Sequence, residues 1–299
     1  MGVAVRARIA RVASVNVLGR PPKRTKGMGE RMKLLNRVID ELSGRWADRD
    51  LDAVLFPAGF FKIEGPFGPV DSQDRARWLE TSELGPACMS VAERLAIERC
   101  GLLVTGIDTR PARGFSGDQL MVAWSPDGVA GVARKLFPSD GDTNESDGPA
   151  YLLFEQDFID WSRVVKTPTG NTALLCDCYD AFALAEMAIG PTLKRSAMRY
   201  VFDEQFDWRW LSAEDRDSLL ESFAELVSEA EADLVLVGVH RFKRPGQETY
   251  WQRHGIATAS AALGGALVVG AAHFRRGLPD PGDLARAALA CVGAPRKKD

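Results

Sequence analysis

The sequence is poor in the groups that most often hold metals and cofactors. It has three histidines, His240, His254 and His273, scattered without ligand spacing, and five cysteines that nowhere form a CxxC pair, so no metal site is expected. Neither GxGxxG nor GxxxxGK[ST] occurs in the sequence, which removes the usual phosphate-cradling loops and leaves no cofactor to expect. Charge of one sign is also missing. With 38 Lys and Arg against 41 Asp and Glu the net charge is −3, so no basic field draws the chain onto nucleic acid. The opening MGVAVRARIARVASVNV alternates arginine with apolar residues and lacks the unbroken apolar centre of a signal peptide. The longest apolar stretch, ATASAALGGALVVGAA at 257–272, is too short and too rich in small residues for a membrane span; it reads as a buried helix and strand. Cysteines without an even pairing framework, and no export signal, point to a reducing cytoplasm.

What is present is a chain of 299 residues, 45% hydrophobic, enough for one large α/β domain or two small ones. The alternation over 7–17 predicts a half-buried strand. After a basic, breaker-rich loop, Leu35, Val38, Ile39, Leu42 and Trp46 recur at helical spacing. DAVLFP at 52–57 reads as a buried strand, 58–71 as a Gly/Pro/Phe loop, 89–101 as a helix stopped at Gly101 and LLVTGID at 102–108 as a strand. Two apolar runs flank Ser125-Pro126-Asp127-Gly128 and make a β-hairpin. A polar loop at 139–148 precedes a second hairpin around Gly170, and a helix starts at Asp180 as its N-cap. Met187 to Trp210 is irregular and aromatic; helices follow at 213–230, 252–263 and 282–292, with strands at 233–239 and 266–272. Helices alternating with wholly apolar strands argue for α/β with both sheet faces covered, and one domain over 1–299 is the simplest reading.

Two residues stand out chemically. Cys178 follows the strand TALLC and precedes a helix, so it is presented at the carboxyl edge of a sheet beside a helix N-terminus, where a thiolate is favoured. The alternative, a buried structural cysteine, fits Cys176 inside the apolar run, and a disulfide between the two would be strained. Lys135 ends the second strand of the first hairpin; position alone would leave it an ordinary solvated lysine.

The segments DAVLFP, PDGVAGVARKLFP, LLCDCYDAF and ADLVLV…W…ALVVGAA, in that order from about residue 7 to about residue 273, resemble the nitrilase, or carbon–nitrogen hydrolase, superfamily. The resemblance implies an α-β-β-α sandwich, here without its last C-terminal hairpin, because the chain runs from AAHF into PDPGDLARAALACVG. It implies a Glu–Lys–Cys site that attacks amides or nitriles through a thioester or thioimidate, and a homodimer. Its Cys-Tyr-Asp motif falls on Cys178-Tyr179-Asp180, making Cys178 the nucleophile, and its lysine falls on Lys135, the oxyanion stabiliser. Tyr179, Phe60 and His240 are the candidate binding residues.

The sequence departs from that pattern where the base should be: the family's Phe-Pro-Glu reads Phe56-Pro57-Ala58. Glu64 and Glu155 are the candidate replacements, Glu155 as the glutamate that orients the lysine; Asp118 and Glu145 also lie close in sequence to the Lys135 hairpin. The stretch at about 187–212 is read as an insertion, either a cap over the site or a peripheral piece packing its own aromatics. Two function classes remain open. One is an amidase-type hydrolase of a small amide or nitrile, without nucleic-acid or membrane partners. The other is a catalytically degenerate homologue that keeps the fold for binding or scaffolding.

Overall fold

Leu35 and Ile39, four residues apart on α1 (Met28–Trp46), are wholly buried, and this apolar stripe covers one face of a β-sheet. The computed structural model describes residues 10–19, 21, 27–46, 50–65, 70–110, 117–138, 151–189, 200–202, 208–210, 212–242 and 246–274. The first sheet runs β1 (Val12–Ser14), β3 (Ala53–Leu55), β5 (Leu102–Thr109), β6 (Gln119–Ser125), β7 (Gly128–Arg134), with β4 (Phe61–Ile63) alongside the later half of β5. The second runs β2 (Val17–Leu18), β13 (Leu267–Phe274), β12 (Leu234–Phe242), β9 (Thr172–Asp177), β8 (Val164–Lys166). Helices α1, α2 (Ser72–Thr81) and α3 (Gly85–Ile97) belong to the first half; α4 (Asp180–Ile189), α5 (Ala213–Ala230), α6 (Gln247–Trp251) and α7 (Ala257–Ala262) to the second.

Alternation along the strands sorts the core into three layers. Leu103, Ile107, Val122 and Trp124 face Leu35, Ile39, Leu79, Val91 and Leu95 on the helix side of the first sheet. Leu174, Cys176, Val235 and Val237 face Phe182, Leu184, Phe223 and Leu226 on the helix side of the second. Between the sheets lie smaller side chains, among them Val104, Ala123, Ala133, Leu175, Leu236 and Ala271. This is the expected α-β-β-α sandwich.

Two glycines let the layers close. A Cβ on Gly106 would stand 2.3 Å from Ala58 Cα, and one on Gly238 would stand 2.8 Å from Ala58 N and 2.2 Å from Met121 Sδ. The backbone at Ala58 is therefore wedged between β5 and β12. At the other end of the strands Asp52 ties the sheets together. Its carboxylate accepts hydrogen bonds from Arg11 N at 2.7 Å, Thr167 Oγ1 at 2.7 Å and Asn171 Nδ2 at 2.8 Å.

Several sequence expectations change here. The strand expected over 7–17 is two strands in different sheets, β1 and β2. At the crossing Asn16 Oδ1 accepts Ala272 N at 3.0 Å, a side chain standing in for a backbone partner. The loop expected at 58–71 contains β4, and α2 follows it unforeseen, its N-cap Asp71 accepting from Asp74 N. The helix expected at 89–101 starts earlier, at Gly85, and ends at Ile97 before a left-handed Arg99. Both hairpins form as read, and α5 opens on a capping box of Ser212 with Asp215. Within the expected insertion, β10 (Tyr200–Phe202) and β11 (Trp208–Trp210) pair antiparallel. The loop expected at 139–148, the helix expected at 282–292 and the segment expected to lack the last hairpin lie outside the described residues. No helix among the described residues is long and apolar enough to cross a membrane.

Gly106→Ala should therefore lower stability by about 1–3 kcal/mol, because the added methyl meets backbone rather than a side chain that can turn away; urea unfolding measures it.

Candidate active site

The layer between the sheets changes from apolar to polar at one end. Two residues beyond Gly106 on β5 is Asp108; two beyond Ala133 on β7 is Lys135; two beyond Leu175 on β9 is Asp177; two beyond Gly238 on β12 is His240; two beyond Ala271 on β13 is His273. Gln119 pairs with Asp108 across β5 and β6. The strand period of two therefore sets all six on the inner faces of the two sheets. All come from the strand ends next to Ala58.

Cys178 sits at the head of this group. It carries φ +46°, a left-handed backbone that non-glycine residues seldom adopt. Its N–H donates to Gly238 O at 2.6 Å and its carbonyl accepts Ala181 N at 3.3 Å. The turn thus lifts Cys178 out of β9 and starts α4, and leaves the side chain 8% exposed. Cys176, two residues earlier, points into the helix-side core. Burial there, with the Asp180 charge, pushes its thiol up and away from ionisation.

Lys135 is buried, not solvated. Its Nζ donates to Gln119 Oε1 at 2.8 Å, and its carbonyl accepts the Tyr151 hydroxyl at 3.0 Å. The preceding Arg134 is clamped on every side. Nε donates to Asp118 at 2.6 Å, Nη1 to Asp157 at 3.1 Å and Nη2 to Leu152 O at 2.6 Å. The guanidinium also lies over the rings of Tyr151 and Phe154. The strand end that bears Lys135 is therefore fixed by a charge network.

His240 has an unusual set of neighbours. Nε2 is 2.9 Å from Asp108 Oδ1, and Nδ1 is 3.5 Å from Oδ1 of Asp177, the residue before Cys178. Burial works against the charged imidazole, but Asp108 and Asp177 outweigh it and raise its pKa well above the ordinary value. Asp177 is wholly buried and neither of its oxygens accepts a hydrogen bond from a described residue. Burial pushes it up to about 7, against the pull of His240 and Lys135. His273 goes the other way. Burial, then the charges of Arg31 and His240, bring it down to about 3. Its ring approaches the Ala58 backbone with neither nitrogen in hydrogen-bond geometry.

Asp180 does not cap α4 as expected. Its carboxylate accepts Leu136 N at 3.0 Å, Phe137 N at 3.1 Å and Asp177 N at 3.1 Å, so it joins the Lys135 strand end to the Cys178 turn.

The structure gathers Lys135 and His240 around Asp177, the neighbour of Cys178 in the chain; the other candidates have different surroundings. Glu64 is exposed and ion-paired with Arg110 at 2.7 Å. Glu155 is exposed at the start of a short 3-10 turn, Glu155–Phe158. Neither takes the place of the missing glutamate beside the buried groups, and Asp118 is committed to Arg134. Glu145 lies outside the described residues. Phe60 packs in the helix-side core with Phe56 and Phe61, under Arg31, rather than at a binding surface. Tyr179 packs on Phe182. Sequence reading missed Asp108, Asp177 and Gln119. The signal available was a polar residue closing an apolar strand, as in LLVTGID and LLCD.

No group of three or more His, Cys, Asp and Glu suited to a metal occurs among the described residues. The arrangement holds a thiol, an ammonium and an imidazole–carboxylate pair in one partly desolvated place, a set able to perform nucleophilic acyl transfer.

No family model matches the chain, and no curated protein does. Among solved structures it is similar to a mutant of the amidase from Nesterenkonia sp. AN1 that shows covalent addition of the acetamide moiety of fluoroacetamide at the active site cysteine. That match has 15% identity, 91% of this chain, 79% of the other and TM-score 0.46. It is also similar to XC1258 from Xanthomonas campestris, a CN-hydrolase superfamily protein with an arsenic adduct in the active site, at 15% identity, 90% and 76% coverage and TM-score 0.46. A carbon–nitrogen hydrolase from Helicobacter pylori G27 follows at 12% identity, 89% and 72% coverage and TM-score 0.42. Likenesses this distant say nothing of this chain's substrate.

Two opposite pH effects should be separable. His273 resists protonation in the folded chain to about 3, while the unfolded chain takes the proton near pH 6.5. Stability is thus lost as pH falls through that window, and His273→Gln should flatten the loss. Asp177 holds its proton up to about 7 when folded and only to about 4 when unfolded. Its ionisation removes stability as pH rises from about 4 to about 7, and Asp177→Asn should recover roughly 2 kcal/mol or more at pH 8. Thermal melts across pH read both.

Proposed function

We propose that the protein is a divergent carbon–nitrogen hydrolase acting on a small amide or nitrile, with Cys178 as nucleophile. The observation that carries the reading is a cysteine held at positive φ between a strand and a helix, at the end of a sandwich where Lys135 is buried beside the same polar cluster. An exposed lysine would not have supported it, nor a cysteine inside the regular strand; Cys176, within β9 two residues away, is wholly buried.

In this reading Cys178 Sγ attacks the carbonyl or nitrile carbon. Lys135 donates to the oxygen or nitrogen on which charge gathers, a role worth most in a buried, water-poor place. Its bond to Gln119 and the clamp on Arg134 keep the ammonium aimed before substrate arrives. Collapse of the tetrahedral species expels the amine and leaves a thioester, which water then hydrolyses. A nitrile gives a thioimidate that takes up water on the same path. The same proposal includes a homodimer, a cytoplasmic location and no cofactor.

A second reading, a degenerate homologue that binds without reacting, is favoured by one observation, Ala58 where the resemblance calls for an acid. One experiment separates them. The protein is alkylated with iodoacetamide and mapped by peptide mass, with Cys176 as internal comparison. A separate, unalkylated sample is incubated with a panel of short aliphatic and aromatic amides plus hydroxylamine. The hydrolase reading expects Cys178 to react about 10-fold or more faster than Cys176 at neutral pH, Lys135→Ala to slow it, and at least one amide to give a hydroxamate that Cys178→Ala abolishes. Equal inertness of the two cysteines sinks the hydrolase and leaves the binding protein.

A further inference from the structure

A cysteine nucleophile needs a group to take its proton and to return one to the leaving nitrogen. This question arises only if Cys178 is the nucleophile, and the inference rests on that reading. Ala58 has nothing to exchange a proton with, and the carboxylates nearest in sequence are occupied elsewhere: Asp118 by Arg134, Glu64 by Arg110. Asp180 is spent on three backbone amides.

We propose that His240, oriented by Asp108, is the proton-transfer residue of the Cys178 site, an imidazole–carboxylate pair from the opposite sheets standing in for the acid absent at position 58.

Three observations converge on it. First, His240 Nδ1 lies 3.5 Å from Asp177 Oδ1 and the N–H of Cys178 donates to Gly238 O at 2.6 Å, so the ring stands against the turn that carries Cys178. Second, Nε2 is held 2.9 Å from Asp108 Oδ1. A carboxylate only accepts, so Nε2 carries a hydrogen, and with the ring's proton affinity raised Nδ1 is the nitrogen that holds the second, exchangeable proton. Third, the pair occupies the neighbourhood of the missing acid. A Cβ on Gly59, the residue after Ala58, would stand 2.8 Å from Asp108 Oδ2 and 3.1 Å from His240 Cδ2. Gly59 has φ +60°, so the chain there is built without a side chain, and the histidine and aspartate pack directly on its backbone.

The groups facing His240 set its proton affinity. Asp108 comes from β5, Asp177 and Cys178 from the end of β9, and the two carboxylates draw the proton onto the ring. His273, on β13, is kept neutral by its own burial and so opposes this little. Lys135, from β7, acts on Asp177.

The step balances. The ring holds the Sγ proton on Nδ1 as imidazolium, and the thiolate forms a bond to the carbonyl carbon, whose π pair moves to oxygen beside Lys135. When the oxyanion collapses, the C–N pair leaves with the amine, which takes the proton from the imidazolium. Water then attacks the thioester, giving its proton to the ring, and Cys178 departs as thiolate, which restores the ion pair. Asp108 neither gains nor loses a proton; it is a positioning residue.

The test uses the full chain and iodoacetamide, reading Cys178 alkylation from about pH 5 to about pH 9 in wild type, His240→Gln, Asp108→Asn and His240→Ala with added imidazole. Circular dichroism confirms the fold of each. In the wild type the rate should hold a plateau through neutral pH. His240→Gln should lose the plateau and fall about 10-fold or more at pH 7, rising only with hydroxide. Asp108→Asn should give an intermediate profile, and imidazole should restore part of the rate to His240→Ala. A folded His240→Gln with the wild-type profile overturns the proposal while leaving Cys178 the nucleophile. A wild-type Cys178 as unreactive as Cys176 overturns the hydrolase reading, and this inference with it. If His240→Gln does not fold, an Asp108→Asn protein with the wild-type profile, or no imidazole rescue of a folded His240→Ala, overturns it equally.

Discussion

The carboxylate of Asp180 is the point on which this architecture turns. It lies fully buried and takes the amides of Leu136 and Phe137 on one oxygen and of Asp177 on the other, with Arg163 at 3.9 Å. Burial alone would favour the neutral acid; Arg163 and the three amides pull the other way. Because those amides belong to the end of the lysine hairpin and to the turn of the cysteine, one side chain fixes the separation of two groups 43 positions apart in the chain. An apolar residue could fill the volume but could not hold that register.

The same logic explains why so much charge is buried around it. Arg75, Arg134 and Arg163 are each almost wholly inaccessible. Arg134 and Arg75 share Asp157, and Arg163 donates to the carbonyls of Arg134 and Asp157. Buried ion pairs seldom add much net stability over apolar packing, since desolvation offsets attraction. Their directional bonds do fix where a strand end stops. Here that strand end carries Lys135.

Much of this was legible in the sequence because it is written in periods. The apolar runs of β5, β9, β12 and β13, the helical stripe of α1 and both hairpins are local signals, and they pointed to α/β with covered sheet faces; the sandwich itself came from the resemblance. The Cys178 turn was legible too, as a strand running into a helix. What escaped depends on contacts far apart in sequence. The split of the first strand at Asn16 is decided by Ala272. Glu64 and Glu155 were chosen as neighbours in the chain, whereas the carboxylate that meets the histidine, Asp108, lies 132 positions from it. Phe60 was assigned to the site by its loop, yet the local backbone turns it into the helix-side core. Spacing in one strand cannot tell which strand of another sheet will oppose it.

The polar end of the sandwich has a consequence in time rather than in space. Asp108, Gln119 and Lys135 belong to one sheet, and Asp177, Cys178 and His240 to the other or its edge. They meet only after the two sheets have docked, a step dominated by contacts distant in sequence and so among the last to form. Until then Cys178 has no charged neighbour from the facing sheet. In the proposed reading, a chain still emerging from synthesis, or one that has opened locally, therefore holds the cysteine without the rest of its site. The reactivity proposed for Cys178 belongs to the closed sandwich and would be switched on by folding itself.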